Sequence, residues 1–262
     1  LLRDSGYNTS HIGKWHMGDI EQSFAHKHGF MHAEFPIHQQ AQLALMHADA
    51  EHSEITRGIG ADGSSPQRMK LDSFFVSNAS HMLTGVELRD GKLYEVDLQP
   101  GEAWTQQKYR EMNERYQRSA MDQLRRLAEE DEPFFLNYWP LYPVTFVRNK
   151  DGAFKTANGG SWAEAIVQVD EWIGEIVAEV ERLGIAENTI IMAMGDNGTM
   201  TQYMGLTGAT DRVYRGGKGE HLEGGIRVNA FVRWPGAIEP GSLAEDVVHV
   251  SDLYTSFARI GG

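Results

Sequence analysis

Cysteine is absent from the 262 residues, which excludes disulfides, thiolate metal ligands and a cysteine nucleophile within them. Long apolar runs are absent too. None comes near the roughly 20 residues a membrane-spanning helix needs. The chain opens on Leu1-Leu2-Arg3-Asp4 rather than a basic region followed by an apolar stretch, so neither a membrane span nor a signal peptide is read. Positive charge is scarce: 24 Lys and Arg against 37 Asp and Glu give a net charge of −13. A nucleic-acid partner is therefore not expected, because phosphate backbones are gripped by excess Lys and Arg. The same charge repels small anions at long range, so an anionic substrate would need a pocket where Lys, Arg and His cluster. Internal repeats and low-complexity tracts are also missing. What is present is a hydrophobic fraction of 41%, enough to bury the core of one large or two small domains.

The order of elements points to an α/β layered sheet. A Ser5-Gly6 turn precedes a short strand through Tyr7 to Ile12, then the run Gly13-Lys14-Trp15-His16-Met17-Gly18. Residues 19–100 read as an irregular insertion after that strand, with a piece at Phe74 to Ser77 and a small hairpin. In the hairpin Val86-Glu87-Leu88 meets Lys92-Leu93-Tyr94-Glu95-Val96 across Arg89-Asp90-Gly91. From Thr105 to Asp131, Tyr109, Met112, Tyr116, Met121, Leu124 and Leu127 recur at helical spacing, and Pro133 closes the segment. Phe134 to Trp139 is a buried strand. Trp162 to Leu183 is a second helix with an apolar stripe of Ile166, Val169, Ile173, Ile176, Val177 and Val180, stopped at Gly184. Thr189 to Met194 has the continuous apolar pattern of a strand covered on both faces. Ala230 to Trp234 is another strand, and a last helix begins near Ser251-Asp252-Leu253. Such alternation builds a layered sheet whose sites lie beyond the strand ends.

Three segments carry chemistry. Asp196-Asn197-Gly198 follows the buried strand and offers two hard oxygen ligands suited to Ca²⁺ or Mg²⁺, although the same tripeptide is ordinary turn material. Gly216 to Val228 interleaves glycines with Lys218; glycines let backbone approach a ligand and the lysine supplies a point charge for an oxyanion. It is not a nucleotide phosphate loop, since Gly219 stands where that motif requires Ser or Thr. Gly13-Lys14-Trp15-His16 sets a cation and an imidazole two residues apart, able to face one side if the segment is extended; a solvated lysine beside a solvated histidine is the plain alternative. His26, His28, His32, His38, His47 and His52 are irregularly spaced and read as solvated, although His28 and His32 would share a face if they lay on a helix.

Taken together, these segments resemble the sulfatase family of the alkaline-phosphatase-like superfamily. Gly6-Tyr7-Asn8-Thr9 with Gly13 to Gly18 is similar to the family signature GY.T...GKWHLG. Trp162 to Asn188 resembles its helix, Gly195 to Gly198 its SDNG, and Arg215 to Arg227 its RGGKGTTWEGGIR. VRWPGAIEPG and SDLYTSFARIGG look like the segments that follow. The landmarks run in family order over almost the whole chain.

The resemblance implies an α/β/α layered sheet, here incomplete, forming one partial catalytic domain over residues 1–262. It implies a metal-assisted sulfate ester hydrolase of arylsulfatase type acting on a small-molecule sulfate ester. Asp196 and Asn197 would be ligands of a divalent cation, usually Ca²⁺, with Mg²⁺ or Mn²⁺ as substitutes. Lys14, His16 and Lys218 would surround the sulfate and the nucleophile, and His16 would exchange protons with it. The family nucleophile is a formylglycine made from Cys or Ser in a C/S-x-P-x-R motif ahead of the lysine signature. This chain is read as beginning after that motif, and after the family's Asp-Asp metal pair, and as ending before its smaller C-terminal subdomain. Ser64-Ser65-Pro66-Gln67-Arg68 fits the motif's letters but follows Lys14 and reads as a loop. Leu141 and Val144 stand at two positions where the family often has histidines; Tyr142 between them is a weak acid, its ordinary pKa being about 10. Resemblance alone suggests a periplasmic or secreted location. Exposed apolar surface left by a partial domain would favour association of copies. The competing readings are a phosphodiesterase or phosphonate hydrolase of the same superfamily, and a non-catalytic remnant that binds sulfated ligands or a partner.

Overall fold

The computed structural model describes residues 1–18, 20–36, 54–56, 68–70, 85–89, 92–96, 106–140, 146–148, 154–156, 162–198 and 213–262. Its strands are β1 (Asn8–Gly13), β2 (His32–Pro36), β3 (Glu54–Thr56), β4 (Arg68–Lys70), β5 (Gly85–Arg89) and β6 (Lys92–Val96), then β7 (Phe134–Trp139), β8 (Phe146–Arg148), β9 (Phe154–Thr156), β10 (Ile191–Met194) and β11 (Ala230–Arg233). The α-helices are α1 (Gln106–Ala128), α2 (Trp162–Arg182), the single turn α3 (Glu223–Ile226) and α4 (Val250–Ile260).

The main sheet has the order β6-β5-β2-β1-β7. β1 runs parallel to both neighbours, pairing His11 with Ala33 on β2 and with Asn137 on β7. β5 and β6 form the expected hairpin, Leu88 opposite Leu93, and it joins the sheet as an antiparallel edge through β2. Residues 19–100 therefore hold three of the five strands rather than only an excursion from the sheet. β2 escapes the sequence pattern because it is short and carries a buried glutamate. The expected piece at Phe74 to Ser77 lies outside the described residues.

Because side chains alternate along a strand, the sheet has two unlike faces. Ser10, Ile12 and Glu34 point toward α1, which buries Tyr116, Ala120, Leu124 and Leu127. Polar groups lie at that seam: Glu34 pairs with Arg115 and accepts from the Ser119 hydroxyl, and the Ser10 hydroxyl donates to Gln123 at 3.3 Å. α2 is tied beside α1 by Arg125 donating to the mostly buried Glu179 at 2.6 Å and by Gln117 donating to Glu175 at 2.7 Å. The opposite face is aromatic. Trp15, Phe24, Ala25, Ala33 and Phe35 form its core with Phe30 against it, and α4 reaches the same side through Phe257, 5.8 Å from Phe135.

His11 is fully buried on this aromatic face, its ring 4.9 Å from Trp15 and 5.0 Å from Trp139. Neither ring nitrogen has a hydrogen bond of good geometry. Burial pushes its pKa down to about 3, offset only in part by the nearby backbone of Gly13 and Lys14.

Two expectations change. The apolar run of β10 predicts cover on both faces, but among the described residues this strand pairs only with β11, antiparallel, and its Met194 is exposed. Likewise the stripe on α2 buries Val180 while Ile166 and Ile173 remain exposed. Apolar periodicity reports what a segment can bury, not what lies against it. His28 ends a 3₁₀ turn and His32 opens β2, so they do not share a helix face. No described helix is long and apolar enough to cross a membrane.

Candidate active site

Lys14 is delivered by the end of β1. Gly13 adopts φ 99°, and a Cβ there would sit 2.1 Å from the Trp139 carbonyl oxygen. Only glycine allows that approach. The same carbonyl accepts the Lys14 backbone N–H at 2.7 Å, so the start of the loop is pinned to the end of β7. His16 follows in the left-handed region at φ 49° and is exposed. The run from Lys14 to His16 is thus a folded loop rather than extended chain, and the alternation argument for placing both side chains on one side does not apply to it.

Asp196 and Asn197 lie just past β10. The Asn197 side-chain amide nitrogen donates to the Gly198 carbonyl at 2.8 Å, which leaves its oxygen as the end available to a ligand. Gly198 then packs so tightly on α3 that a Cβ would lie 1.9 Å from the Gly224 carbonyl oxygen, while its N–H donates to the Gly225 carbonyl at 3.0 Å. The turn carrying Asp196 is therefore seated directly on the loop carrying Lys218. That loop closes on itself, since Gly224 N–H donates to the Arg215 carbonyl at 2.7 Å and Gly217 N–H to the Glu220 carboxylate at 2.9 Å.

The structure brings three remote segments together. Lys14 Nζ donates to Asp196 Oδ2 at 3.0 Å, and Lys218 lies close enough to feel both charges. Partial burial alone would raise the Asp196 pKa, but the charge and hydrogen bond of Lys14, with Lys218 behind it, bring it below the usual carboxylate range. Partial desolvation in the site lowers the Lys218 pKa, the charge of Lys14 lowers it further, and Asp196 pulls it back in part. Two ammonium groups against one carboxylate give these three side chains a charge of +1 in a chain of −13, a reversal of the kind an anion site requires.

Asp196 and Asn197 are a hard oxygen pair of the kind Ca²⁺ or Mg²⁺ takes, but such ions need about six donors or more. Among the described residues no group of three or more His, Asp or Glu could hold a metal. As two donors, the pair would supply only part of such a site. Ser64 to Gln67 and Leu141, Tyr142 and Val144 lie outside the described residues. Residue-type reasoning passed over Gly13, Gly198 and the Trp139 carbonyl. A glycine directly before the lysine and another directly after the Asp-Asn pair were the available signals for the first two; a backbone carbonyl leaves none.

A family model described as Sulfatase matches residues 1–262. The chain belongs to the sulfatase family. It is similar to the steryl-sulfatase of Rattus norvegicus, 27% identical over 305 residues that cover 100% of this chain and 51% of that protein. Against the N-acetylgalactosamine-6-sulfatase of the same organism, identity is 26% over 269 residues, covering 100% of this chain and 44% of the relative. This sulfatase chain thus spans about half the length of the curated relatives it matches. Among solved structures it resembles the PsFucS1 sulfatase from Pseudoalteromonas sp., with a TM-score of 0.74 and 24% identity over 100% of this chain and 49% of that one. The likeness shows the fold: the α/β architecture is that of the alkaline-phosphatase-like sulfatases, and among the described residues β10 pairs with β11 alone.

Proposed function

We propose that this chain carries the sulfate-binding half of a sulfate ester hydrolase active site. The observation that supports the reading most is the Lys14 to Asp196 ion pair at 3.0 Å with Lys218 beside it, because it gathers a locally positive site from three segments, the first of them 182 residues from the second. In this reading Lys14 and Lys218 hold sulfate oxygens and offset the charge that develops on the transferring sulfuryl group. His16, on the Lys14 loop, exchanges a proton with the nucleophile or leaving oxygen. Asp196 and Asn197 would hold a divalent cation, Ca²⁺ by family resemblance, which when bound supplies Lewis-acid polarisation of a sulfate oxygen. The attacking formylglycine would come from outside the residues that make this site. A periplasmic or secreted location belongs to the same proposal and rests on the family resemblance.

The reading is tested by hydrolysis of an aryl sulfate against an aryl phosphodiester, each with Ca²⁺ or Mn²⁺ present, by the protein that carries this chain. Preference for the sulfate is expected, with Lys14→Ala and Asp196→Ala each lowering kcat/KM by about 100-fold or more. Preference for the phosphodiester would instead assign a phosphodiesterase of the same superfamily. Sulfate binding without turnover would assign a non-catalytic remnant.

A further inference from the structure

Lys218 sits on a loop that no buried side chain anchors. Between Arg215 and Glu223, only Gly217 is buried and Gly216 half-buried, while Arg215, Lys218, Gly219, Glu220, His221, Leu222 and Glu223 are exposed. Yet the two residues that flank residues 215–226, Tyr214 and Arg227, reach each other. The Arg227 guanidinium carbon lies 4.6 Å from the centroid of the Tyr214 ring, and Arg227 Nη1 donates to the Tyr214 hydroxyl at 3.0 Å. Arg227 Nε is held at the same time by Glu223 Oε2 at 2.6 Å. One guanidinium therefore joins the entry of the loop, its exit and the single turn α3.

We infer that Tyr214 and Arg227 form a clasp that positions Lys218 in the anion site. This rests on the reading of Lys218 as a sulfate ligand given above. A planar guanidinium suits such a clasp because it stacks on a ring with its face while its edge nitrogens donate in fixed directions, which lysine cannot do. Because Gly198 is seated on Gly224 and Gly225, a loop held shut by the clasp also fixes where Asp196 stands relative to Lys218. The described bonds of Tyr214 and Arg227 run to each other and to Glu223 rather than to Lys218, and both residues are exposed. They are positioning residues, and their loss is felt by the loop rather than by the core.

Arg227→Met, Tyr214→Ala and Tyr214→Phe in the 262-residue chain test this, with Lys218→Ala as the control. Three quantities are read: the melting temperature, amide hydrogen exchange of peptides covering 213–227, and the dissociation constant of inorganic sulfate. Arg227→Met and Tyr214→Ala are expected to speed loop exchange at least about tenfold and weaken sulfate at least about fivefold, with melting unchanged. Tyr214→Phe, which keeps the ring under the cation and loses only the hydroxyl, falls between them and the parent. Unchanged exchange in both large variants overturns the clasp, and faster exchange with unchanged sulfate affinity overturns its positioning role. If Lys218→Ala binds sulfate as the parent does, the proposed function fails, and exchange alone then decides whether the clasp exists.

Discussion

Lys14 leaves a strand paired on both sides, β1 between β2 and β7, whereas Asp196 leaves β10, which among the described residues is paired on one side only. Behind Lys14 stand a helix with buried Tyr116, Leu124 and Leu127 on one face and an aromatic core on the other. Behind Asp196 and Lys218 the strand β11 leaves Phe231 and Val232 exposed, and the residues that follow leave Leu243, Val247 and Val248 exposed. That half is held by backbone hydrogen bonds, glycine packing and charged side chains. The candidate site thus joins a region built by burial to one built by polar ties, and the two should respond differently to the same kind of change.

The largest contrast is expected in the cores. Phe35 is 0% exposed and Phe231 is 69% exposed. Phe35→Ala should cost about 3–5 kcal/mol in denaturant unfolding, and Phe231→Ala no more than about 0.5 kcal/mol. Equal effects would break the comparison. Acid sharpens it next. The unfolded chain takes up a proton on His11 below about pH 6.5, which the folded chain refuses until about pH 3. Stability should therefore fall as the pH drops through that window, by at most about 1 kcal/mol per pH unit. Glu179, held down to about 2 first by Arg182 and then by Arg125, adds a second decline below its ordinary carboxylate range, where the unfolded chain protonates first. Unfolding curves from about pH 7 to 4 should show the first slope in the parent and not in His11→Leu.

Gly198→Ala, which drives a methyl into the Gly224 carbonyl, should cost about 1–3 kcal/mol and weaken sulfate binding disproportionately, since it displaces Asp196 from the Lys218 loop. Calorimetry with sulfate titration measures both. A small effect on stability is also expected of Lys14→Met. The Lys14 side chain is 17% exposed and that of its partner Asp196 65% exposed, so one end of the pair is open to solvent and losing it should change stability by about 1 kcal/mol while abolishing sulfate binding. A large loss of stability would mean that the pair holds the two regions together.

Much of the architecture was readable because long periodic segments leave few options. α1, α2, β7, β11 and the β5–β6 hairpin fall close to their expected bounds. α4 begins at Val250, just ahead of Ser251, because His249 caps it, accepting from the Ser251 N–H at 3.2 Å while its own N–H donates to Asp252 at 2.8 Å; histidine is not among the usual capping residues. β2 escaped because Glu34 looks like a surface residue until Arg115 and Ser119, far along the chain on α1, are seen to receive it. At the site, residue type and family pattern picked Lys14, Asp196 and Lys218, and the structure places those three together. How they are held was not readable. Close approaches at Gly13 and Gly198, and the Tyr214 and Arg227 clasp, arise from chain reversals that residue type does not announce.

The ion pair between Lys14 and Asp196 joins positions 182 residues apart. Closing a loop of that length in an unfolded chain costs about 4–5 kcal/mol from chain entropy, several times what an exposed pair returns. The pair cannot draw its own ends together, so it forms only after β1 with β7, and α1 with α2, have done so. During refolding, sulfate binding should therefore appear with the slowest phase rather than with helix or sheet formation, which makes ligand binding a clock for the last step of assembly.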